Sequence, residues 1–171
     1  MTDFARTSKP KLSAVLIVQD EAHCIEKCLR SIRSIADEIV VIDSGSTDTT
    51  VAIARSFGAH VEVSDWPGFG AQKNRALSRA SGEWVLALDA DEHVTRELAA
   101  SIREAIASRE PNANGFVIQF LAPGGGKPVR FGDWAGKQHF VYFVADSRDL
   151  ATARSMSESF VSRPTALSKD S

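Results

Sequence analysis

Residues 82–92 read GEWVLALDADE, and this stretch decides the fold. The apolar run at 84–88 (WVLAL) predicts a strand that is buried on both faces. Three acidic residues, Asp89, Asp91 and Glu92, follow it directly. In open α/β sheets ligands bind beyond the carboxyl ends of the strands, so the position of these side chains predicts a functional site.

Strands and helices alternate on both sides of this stretch. Short apolar runs predict further strands at 13–18, 38–42, 60–63 and 115–121. Helical spacing of apolar residues predicts helices at 21–35, between 46 and 58, at 71–80 and after Thr95. This alternation indicates right-handed crossovers, and therefore an α/β fold with a mainly parallel sheet flanked by helices.

The acidic turn predicts a divalent metal site. Three carboxylates within four residues repel one another, and burial penalises each charge unless a cation compensates. A hard divalent ion that takes oxygen ligands from one or two carboxylates, with phosphates completing its shell, would relieve this conflict. The alternative is an acidic, solvated turn that caps the next helix. The buried strand in front of the turn favours the metal site.

Two further motifs are candidates for ligand contacts. Asp43 follows the strand at 38–42 as Asp89 follows its own strand, so we expect both to face one crevice. Helix capping explains the hydroxyls after Asp43 but not Asp43 itself, which could accept a hydrogen bond from a base or a ribose.

Residues 72–75 (QKNR) place cations at a predicted helix start, where they oppose the helix dipole. An anion held there by Lys73 and the backbone N–H groups would explain them, and a solvated basic face is the alternative.

Composition narrows the class of protein. The chain has 171 residues, 43% of them hydrophobic, and a net charge of −2, which fits one globular domain and gives no reason to expect nucleic acid as a partner. Cys24 and Cys28 lack further cysteines or a nearby histidine pair, so they make a poor zinc site and are predicted to be reduced thiols beside a packed face. No run approaches the ~20 apolar residues of a membrane span, and no signal peptide is evident. We expect a cytoplasmic protein, compatible with peripheral association at the inner face of the membrane.

Four motifs, in this order, resemble family 2 glycosyltransferases with the GT-A fold. They are VLIVQDEA (15–22), EIVVIDSGSTDTT (38–50), WPGFGAQKNRAL (66–77) and GEWVLALDADE (82–92). The resemblance covers roughly residues 12–134 and is greatest to the bacterial branch that adds a sugar to the lipopolysaccharide core.

The resemblance implies roles for particular residues. By this resemblance, the residues expected to contact a nucleotide sugar are Glu21, Asp43, Lys73, Asn74 and Asp89. Asp43 would contact the uracil or ribose, while Lys73 and Asn74 would lie beside the nucleotide and its phosphates. Asp89 and Asp91 form the D-x-D element, in which Asp91 is the expected direct ligand of an Mg²⁺ or Mn²⁺ ion that bridges the diphosphate.

The sequence leaves the family pattern after Gly136. Family members continue with a Leu/Arg/Phe-rich strand and later a Val-His-Glu-like segment on the acceptor side, which this chain lacks. We therefore expect a truncated or frame-shifted C-terminal part and an incomplete acceptor side. Residues 12–136 are predicted to form the nucleotide-sugar-binding domain, and residues 137–171, rich in serine with mixed charges, a poorly ordered tail.

Two hypotheses of function follow. The first is a metal-dependent glycosyltransferase that moves a sugar from a nucleoside diphosphate, expected to be UDP, to a lipopolysaccharide-core or related glycan or lipid-linked acceptor, with inversion. The second is a non-catalytic fragment that binds the nucleotide sugar and lacks the acceptor half. No acceptor-side base is assigned. A nucleotidyltransferase is a third hypothesis, but this sequence has no glycine-rich basic signature near the first strand to support it. A receiver-like phosphoacceptor domain would not explain QKNR.

Overall fold

The computed structural model describes residues 11–108 and three later strands, at 116–121, 138–141 and 161–169. The strands are β1 (Leu12–Val18), β2 (Glu38–Asp43), β3 (His60–Val63), β4 (Trp84–Leu88), β5 (Glu92–Val94), β6 (Phe116–Leu121), β7 (Gln138–Val141) and β8 (Val161–Lys169). The helices are α1 (Ile25–Ile32), α2 (Thr50–Ser56), α3 (Phe69–Arg79) and α4 (Arg96–Ser108).

The first sheet is parallel and carries the acidic turns. Its strand order is β3-β2-β1-β4, and each neighbouring pair runs in the same direction. Val18 of β1 pairs with Asp43 of β2, and Leu16 pairs with Leu88 of β4. The strands therefore end at nearly the same height, and the loops that follow them share one edge of the sheet.

Both faces of this sheet are covered by helices. In β1, Leu12, Leu16 and Val18 belong to the larger core cluster, which includes apolar side chains of α1 and α4. Val15 belongs to a second cluster with Ala76 and other residues of α3. Because successive side chains of a strand point to opposite faces, a strand buried on both sides reads as a continuous apolar run. The predicted parallel α/β architecture is confirmed.

A second sheet, ordered β5-β8-β6-β7, follows the acidic turn. β8 pairs antiparallel with β5 and parallel with β6, with a register irregularity opposite 117–119. Pro164, which has no N–H group to donate, lies between the paired residues Ser162 and Ala166, at this irregularity. β7 and β8 lie in the segment after residue 136 for which the sequence predicts a poorly ordered tail, and the domain boundary at 136 stays a prediction.

Two helices begin elsewhere than the apolar spacing predicts. α1 starts at Ile25 rather than at residue 21, because residues 20–24 form a turn in which Asp20 has a φ of 55°. α3 starts at Phe69, two residues before the predicted start, with Gly68 at φ 106° in front of it. None of the helices in the described part of the chain is long and apolar enough to cross a membrane.

Candidate functional site

The edge of the first sheet where the strands end gathers most of the predicted site residues. Asp43 ends β2 and Asp89 follows β4, and β1 lies between these two strands. Two strand spacings separate them by about 10 Å. Both residues therefore lie at one edge of the sheet, and the gap between them is wide enough for a ligand to touch each through a different part of its structure. That both side chains face one crevice stays a prediction.

The turn after β4 holds three carboxylates close together. Asp89, Asp91 and Glu92 each offer an oxygen, and these oxygens lie within 4.8 Å of one another. Glu92 is fully buried, and its Oε2 accepts a hydrogen bond from the Asp89 backbone N–H at 2.9 Å. The half-buried Asp89 and Asp91 remain partly open to solvent. Glu92 therefore shapes the turn, while the two aspartates are accessible to a ligand.

Lys73 faces this acidic turn from α3. Its Nζ lies 3.4 Å from Asp89 Oδ1, with the lysine side chain 42% and the aspartate side chain 37% exposed. α3 packs against β1 and β2, which directs its start across the sheet edge. A cation and a carboxylate that are both half-open to solvent can rearrange around a phosphate. The contact of Lys73 with a nucleotide or its phosphates stays a prediction.

The donor set fits a hard divalent cation. All three groups are carboxylates, and oxygen ligands are those that Mg²⁺ and Mn²⁺ take in proteins. Asp89 shares its charge with Lys73, whereas Asp91 is the other half-buried aspartate of the cluster. That Asp91 is the direct ligand of the ion stays a prediction.

Asp43 has a structural role that the sequence does not reveal. It is fully buried, and its Oδ1 accepts hydrogen bonds at 3.0 Å from the backbone N–H groups of Gly45 and Ser46. Its Oδ2 accepts a further bond from Ser46 Oγ. Asp43 therefore organises the turn after β2, where Gly45 adopts a φ of 91°. A contact between Asp43 and a nucleotide stays a prediction.

Gln72 joins the loops that follow β2 and β3. This fully buried amide donates through Nε2 to Ser44 Oγ at 2.9 Å and to Ser64 Oγ at 3.2 Å. Arg75 donates to Gln72 Oε1 at 2.8 Å and pairs with Asp65 at 3.0 Å. Gln72 belongs to the motif QKNR, but no role was predicted for it. The sequence feature that could have revealed its role is that Gln72 is a polar residue on the otherwise apolar face of α3.

The structure divides the QKNR motif into separate functions. Because α3 begins at Phe69, these residues lie past its first turn, where the helix dipole is weaker than the sequence argument assumes. Arg75 is paired with Asp65, and Lys73 with Asp89. Asn74 is exposed, and its side chain forms no hydrogen bond with the residues that the structure describes. Its contact with a nucleotide stays a prediction.

The loop after β1 is fastened to the turn after β2. Asp20 Oδ1 accepts hydrogen bonds from the backbone N–H groups of Thr47 and Asp48, at 2.7 and 3.3 Å. Thr50 Oγ1 accepts the Glu21 N–H at 2.8 Å. These bonds hold Glu21 at the same edge as the acidic turns, with its side chain about one-third exposed. Sequence reasoning missed Asp20, although an aspartate two residues after a buried strand is a usable signal.

Cys28 lies under the acidic turn. Its thiol is 1% exposed and donates to the backbone carbonyl of Asp89 at 3.7 Å. Burial, followed by the charge of Glu92, raises the pKa of this thiol far above its ordinary value. Cys28 therefore stays protonated at neutral pH, as the sequence prediction of a reduced thiol against a packed face requires.

Comparison with known proteins identifies the family. The family described as Glycosyl transferase family 2 matches residues 13–143, which is most of the chain. This chain belongs to that family. The matched region includes both acidic turns, α3 and β6.

Curated relatives carry matching names. An uncharacterized glycosyltransferase from Rickettsia bellii is 44% identical over 99 residues, which are 58% of this chain and 34% of that protein. The lipopolysaccharide core biosynthesis glycosyltransferase LpsC from Rhizobium meliloti is 35% identical over 107 residues, 60% of this chain and 39% of LpsC. The chain thus spans little more than a third of the length of these relatives.

Solved structures share the fold. TarS from S. aureus in complex with UDP-GlcNAc has a TM-score of 0.56 and 26% identity, over 70% of this chain and 37% of TarS. Glucosyl-3-phosphoglycerate synthase from Mycobacterium tuberculosis, in complex with Mn²⁺, UDP and phosphoglyceric acid, has a TM-score of 0.54 and 28% identity, over 68% and 44%. The GT-A fold predicted from the sequence is confirmed.

Proposed function

We propose that the protein is a glycosyltransferase that uses Mg²⁺ or Mn²⁺ and a UDP-sugar donor, and that this chain supplies the donor site. The single observation that carries the proposal is the contact of Lys73 Nζ with Asp89 Oδ1 at 3.4 Å, beside two further carboxylates at the end of a buried strand. A cation and a metal-binding acidic turn that face each other are the groups a nucleoside diphosphate requires. The UDP and Mn²⁺ named for the mycobacterial structure support this choice.

The residue roles follow from position. Asp91, with Asp89, would hold the ion, and Lys73 would contact the diphosphate from the opposite side. Asp43, Glu21 and Asn74 would contact the nucleotide sugar at the ends of β2 and β1 and on α3. Residues 12–136 would form the nucleotide-sugar-binding domain.

The chemistry is displacement at the anomeric carbon. The acceptor hydroxyl oxygen forms the new glycosidic bond, and the bond from the sugar to the diphosphate breaks, so that the diphosphate leaves with the electron pair. A divalent ion bound at the acidic turn would neutralise part of this developing charge. Lys73 adds a fixed positive charge at the same place. The hydroxyl proton passes to a carboxylate base on the acceptor side, where inversion requires it.

The acceptor and the location are proposed from the relatives. The name of LpsC supports a lipopolysaccharide-core acceptor or a related lipid-linked glycan. Such an acceptor fits a cytoplasmic protein that works at the inner face of the membrane. The second candidate is a non-catalytic domain that binds the nucleotide sugar without transferring the sugar.

Calorimetry with UDP tests the donor site. We expect clear binding with Mn²⁺ and weak binding with a chelator, because the acidic turn repels the diphosphate without an ion. Asp91→Asn should remove most of the metal-dependent affinity. Asp37→Asn makes the same chemical change at the opposite edge of the sheet and serves as the control. Equal binding by the intact protein with and without metal would refute the metal assignment.

Asp43→Asn separates the nucleotide role from the metal role. The amide can still accept the Gly45 and Ser46 N–H groups through one oxygen, so the turn should persist. We expect weaker UDP binding with and without metal. A loss confined to the metal-bound state would contradict the separate roles of Asp43 and Asp91.

Two measurements test the domain and the alternative. A protein that ends at residue 136 should still bind UDP with Mn²⁺, because the acidic turn is attached to β4, which pairs with β1 along its whole length. If this shortened protein does not bind UDP, the nucleotide-sugar-binding domain must extend beyond residue 136 and include β8, the partner of β5. Sugar transfer to a lipopolysaccharide acceptor by the full chain supports the transferase, and donor binding without transfer supports the non-catalytic domain.

A further inference from the structure

A second cluster of ligand-type side chains lies in the turn between β1 and α1. Cys24 Sγ donates to Glu21 Oε2 at 3.2 Å, and His23 Nε2 lies 3.9 Å from the same oxygen. One ligand atom of each residue lies within 4.8 Å of those of the other two. The cluster therefore offers an oxygen, a nitrogen and a sulfur atom close to one another.

The geometry points to a transition-metal site formed by Glu21, His23 and Cys24, and we propose that it binds Zn²⁺ or a similar borderline ion. Thiolate and imidazole ligands select zinc-like ions, whereas Mg²⁺ takes oxygen ligands. The site is thus chemically different from the acidic turn, whose ligands are all carboxylates. It does not depend on the proposed donor site, although Glu21 would belong to both.

The observed distances are close to those of tetrahedral coordination. With Zn–S of about 2.3 Å and Zn–O and Zn–N of about 2.0 Å, tetrahedral angles separate S from O by about 3.5 Å and N from O by about 3.3 Å. The structure has 3.2 Å and 3.9 Å for these pairs. The S–O pair would have to open by about 0.3 Å and the N–O pair to close by about 0.6 Å, a change that the exposed His23 side chain can supply.

The backbone already fixes the three residues relative to one another. The Glu21 carbonyl accepts hydrogen bonds from the N–H groups of Cys24 and Ile25, at 3.1 and 2.9 Å. The Glu21 N–H is held by Thr50 Oγ1. An ordered backbone lowers the entropy that ligand ordering would cost on binding. The three side chains would leave a fourth position to water, as in zinc sites with three protein ligands.

Binding at this site exchanges a proton for a metal ion. The thiol proton that Cys24 shares with the Glu21 carboxylate leaves to solvent, and the thiolate takes the ion in its place. The thiolate would lie at the N-terminus of α1, where the helix dipole favours negative charge. The two cysteines thus differ in function: Cys24 faces Glu21, and Cys28 faces the backbone of the acidic turn.

Titration of the full chain with Co²⁺, which replaces Zn²⁺ and reports its ligands by absorption, tests the site. We expect a thiolate-to-Co²⁺ charge-transfer band that saturates at one ion per chain and disappears when Zn²⁺ is added. Cobalt bound at the acidic turn gives no such band, because its ligands are oxygens. The absence of a band would overturn the proposal.

Matched variants identify the ligands. Cys24→Ala should abolish the band, and Cys28→Ala, the same change one helical turn later, should retain it. His23→Gln alters a side chain that is 77% exposed, so the fold should persist while the affinity for Co²⁺ falls at least about tenfold. Asp91→Asn should leave the band unchanged. Loss of the band in Cys28→Ala but not in Cys24→Ala, or unchanged affinity in His23→Gln, would overturn the proposal.

Discussion

The substitution Gly82→Ala would test how closely the start of β4 packs on β1. A Cβ atom at this position would lie 2.7 Å from Ser13 Oγ, 2.8 Å from Ser13 N and 2.9 Å from the Lys11 carbonyl oxygen. Two of these three atoms are backbone. The Lys11 carbonyl already accepts the Trp84 N–H at 3.0 Å, so it cannot move away without breaking the pairing of the two strands.

The magnitude combines two effects. Overpacking against a fixed backbone costs about 1–3 kcal/mol. The bond from the Gly82 N–H to Ser13 Oγ, 2.8 Å long, would also be strained, and its loss costs about 1 kcal/mol. We expect the free energy of unfolding to fall by about 2–4 kcal/mol, from a total of about 5–15 kcal/mol that is typical of domains. The variant should therefore fold, with a visibly lower stability.

Urea denaturation followed by circular dichroism measures the change. Gly58→Ala is the control, because a Cβ atom there meets nothing within 4 Å and the variant carries only the strain of a φ of 79°. That strain costs about 1–2 kcal/mol. A Gly82→Ala protein that is as stable as Gly58→Ala, or more so, would refute the argument from close packing.

Three further predictions concern the site and its support. Lys73→Gln should reduce UDP–Mn²⁺ affinity about 10–100-fold in calorimetry, because charge-assisted hydrogen bonds contribute about 1.5–3 kcal/mol, while Arg79→Gln, which breaks an exposed ion pair on the same helix, should leave the affinity unchanged. The half-exposed pair of Lys73 contributes only about 0–1 kcal/mol to folding, so Lys73→Gln should melt within a few degrees of the unaltered protein, and a large drop would assign the lysine a structural role. Burial would raise the pKa of Glu38, but hydrogen bonds from Ser13 and Ser81 outweigh it and lower this pKa below 4.5. The unaltered protein should therefore have a larger free energy of unfolding than Glu38→Gln above about pH 4.5, and this difference should shrink as the pH falls through the lowered pKa of Glu38. A difference that stays constant in denaturation experiments from neutral to acidic pH would contradict the assignment.

The elements of the first sheet could be predicted because their signal is local. Strands β1, β2 and β4 were each predicted to within about one residue, since strands covered on both faces read as unbroken apolar runs. The edge strand β3 was predicted with the same bounds, although it is only partly buried and its sequence, HVEV, is not an unbroken apolar run. The start of α1 could not be predicted in this way. The helix was predicted from residue 21, but the backbone N–H groups of residues 20–22 donate hydrogen bonds to side chains of residues 46–50, which hold this segment in a turn. Bonds to residues more than twenty positions away leave no trace in local periodicity.

The candidate site was predicted in part for the same reason. Asp89 and Asp91 were identified because they follow a buried strand. Lys73 was identified as a cation of the motif QKNR, and the structure places its Nζ beside Asp89. The role of Asp43 was less accessible. Asp43 accepts hydrogen bonds from the N–H groups of Gly45 and Ser46, and these bonds depend on backbone dihedral angles. The sequence indicates those angles only through Gly45.

By itself, the sequence determined the order of strands and helices, the parallel sheet and the acidic turn at the end of β4. These features depend on which residues avoid water and on short spacings, and both can be read along a chain. Only the tertiary structure decided which side chains meet. Parallel strands bring distant loops to one edge, so the contacts of Lys73 with Asp89 and of Gln72 with two loops follow from the topology. The start of α1 likewise decided that Cys24 turns toward Glu21 and His23, while Cys28 turns into the core.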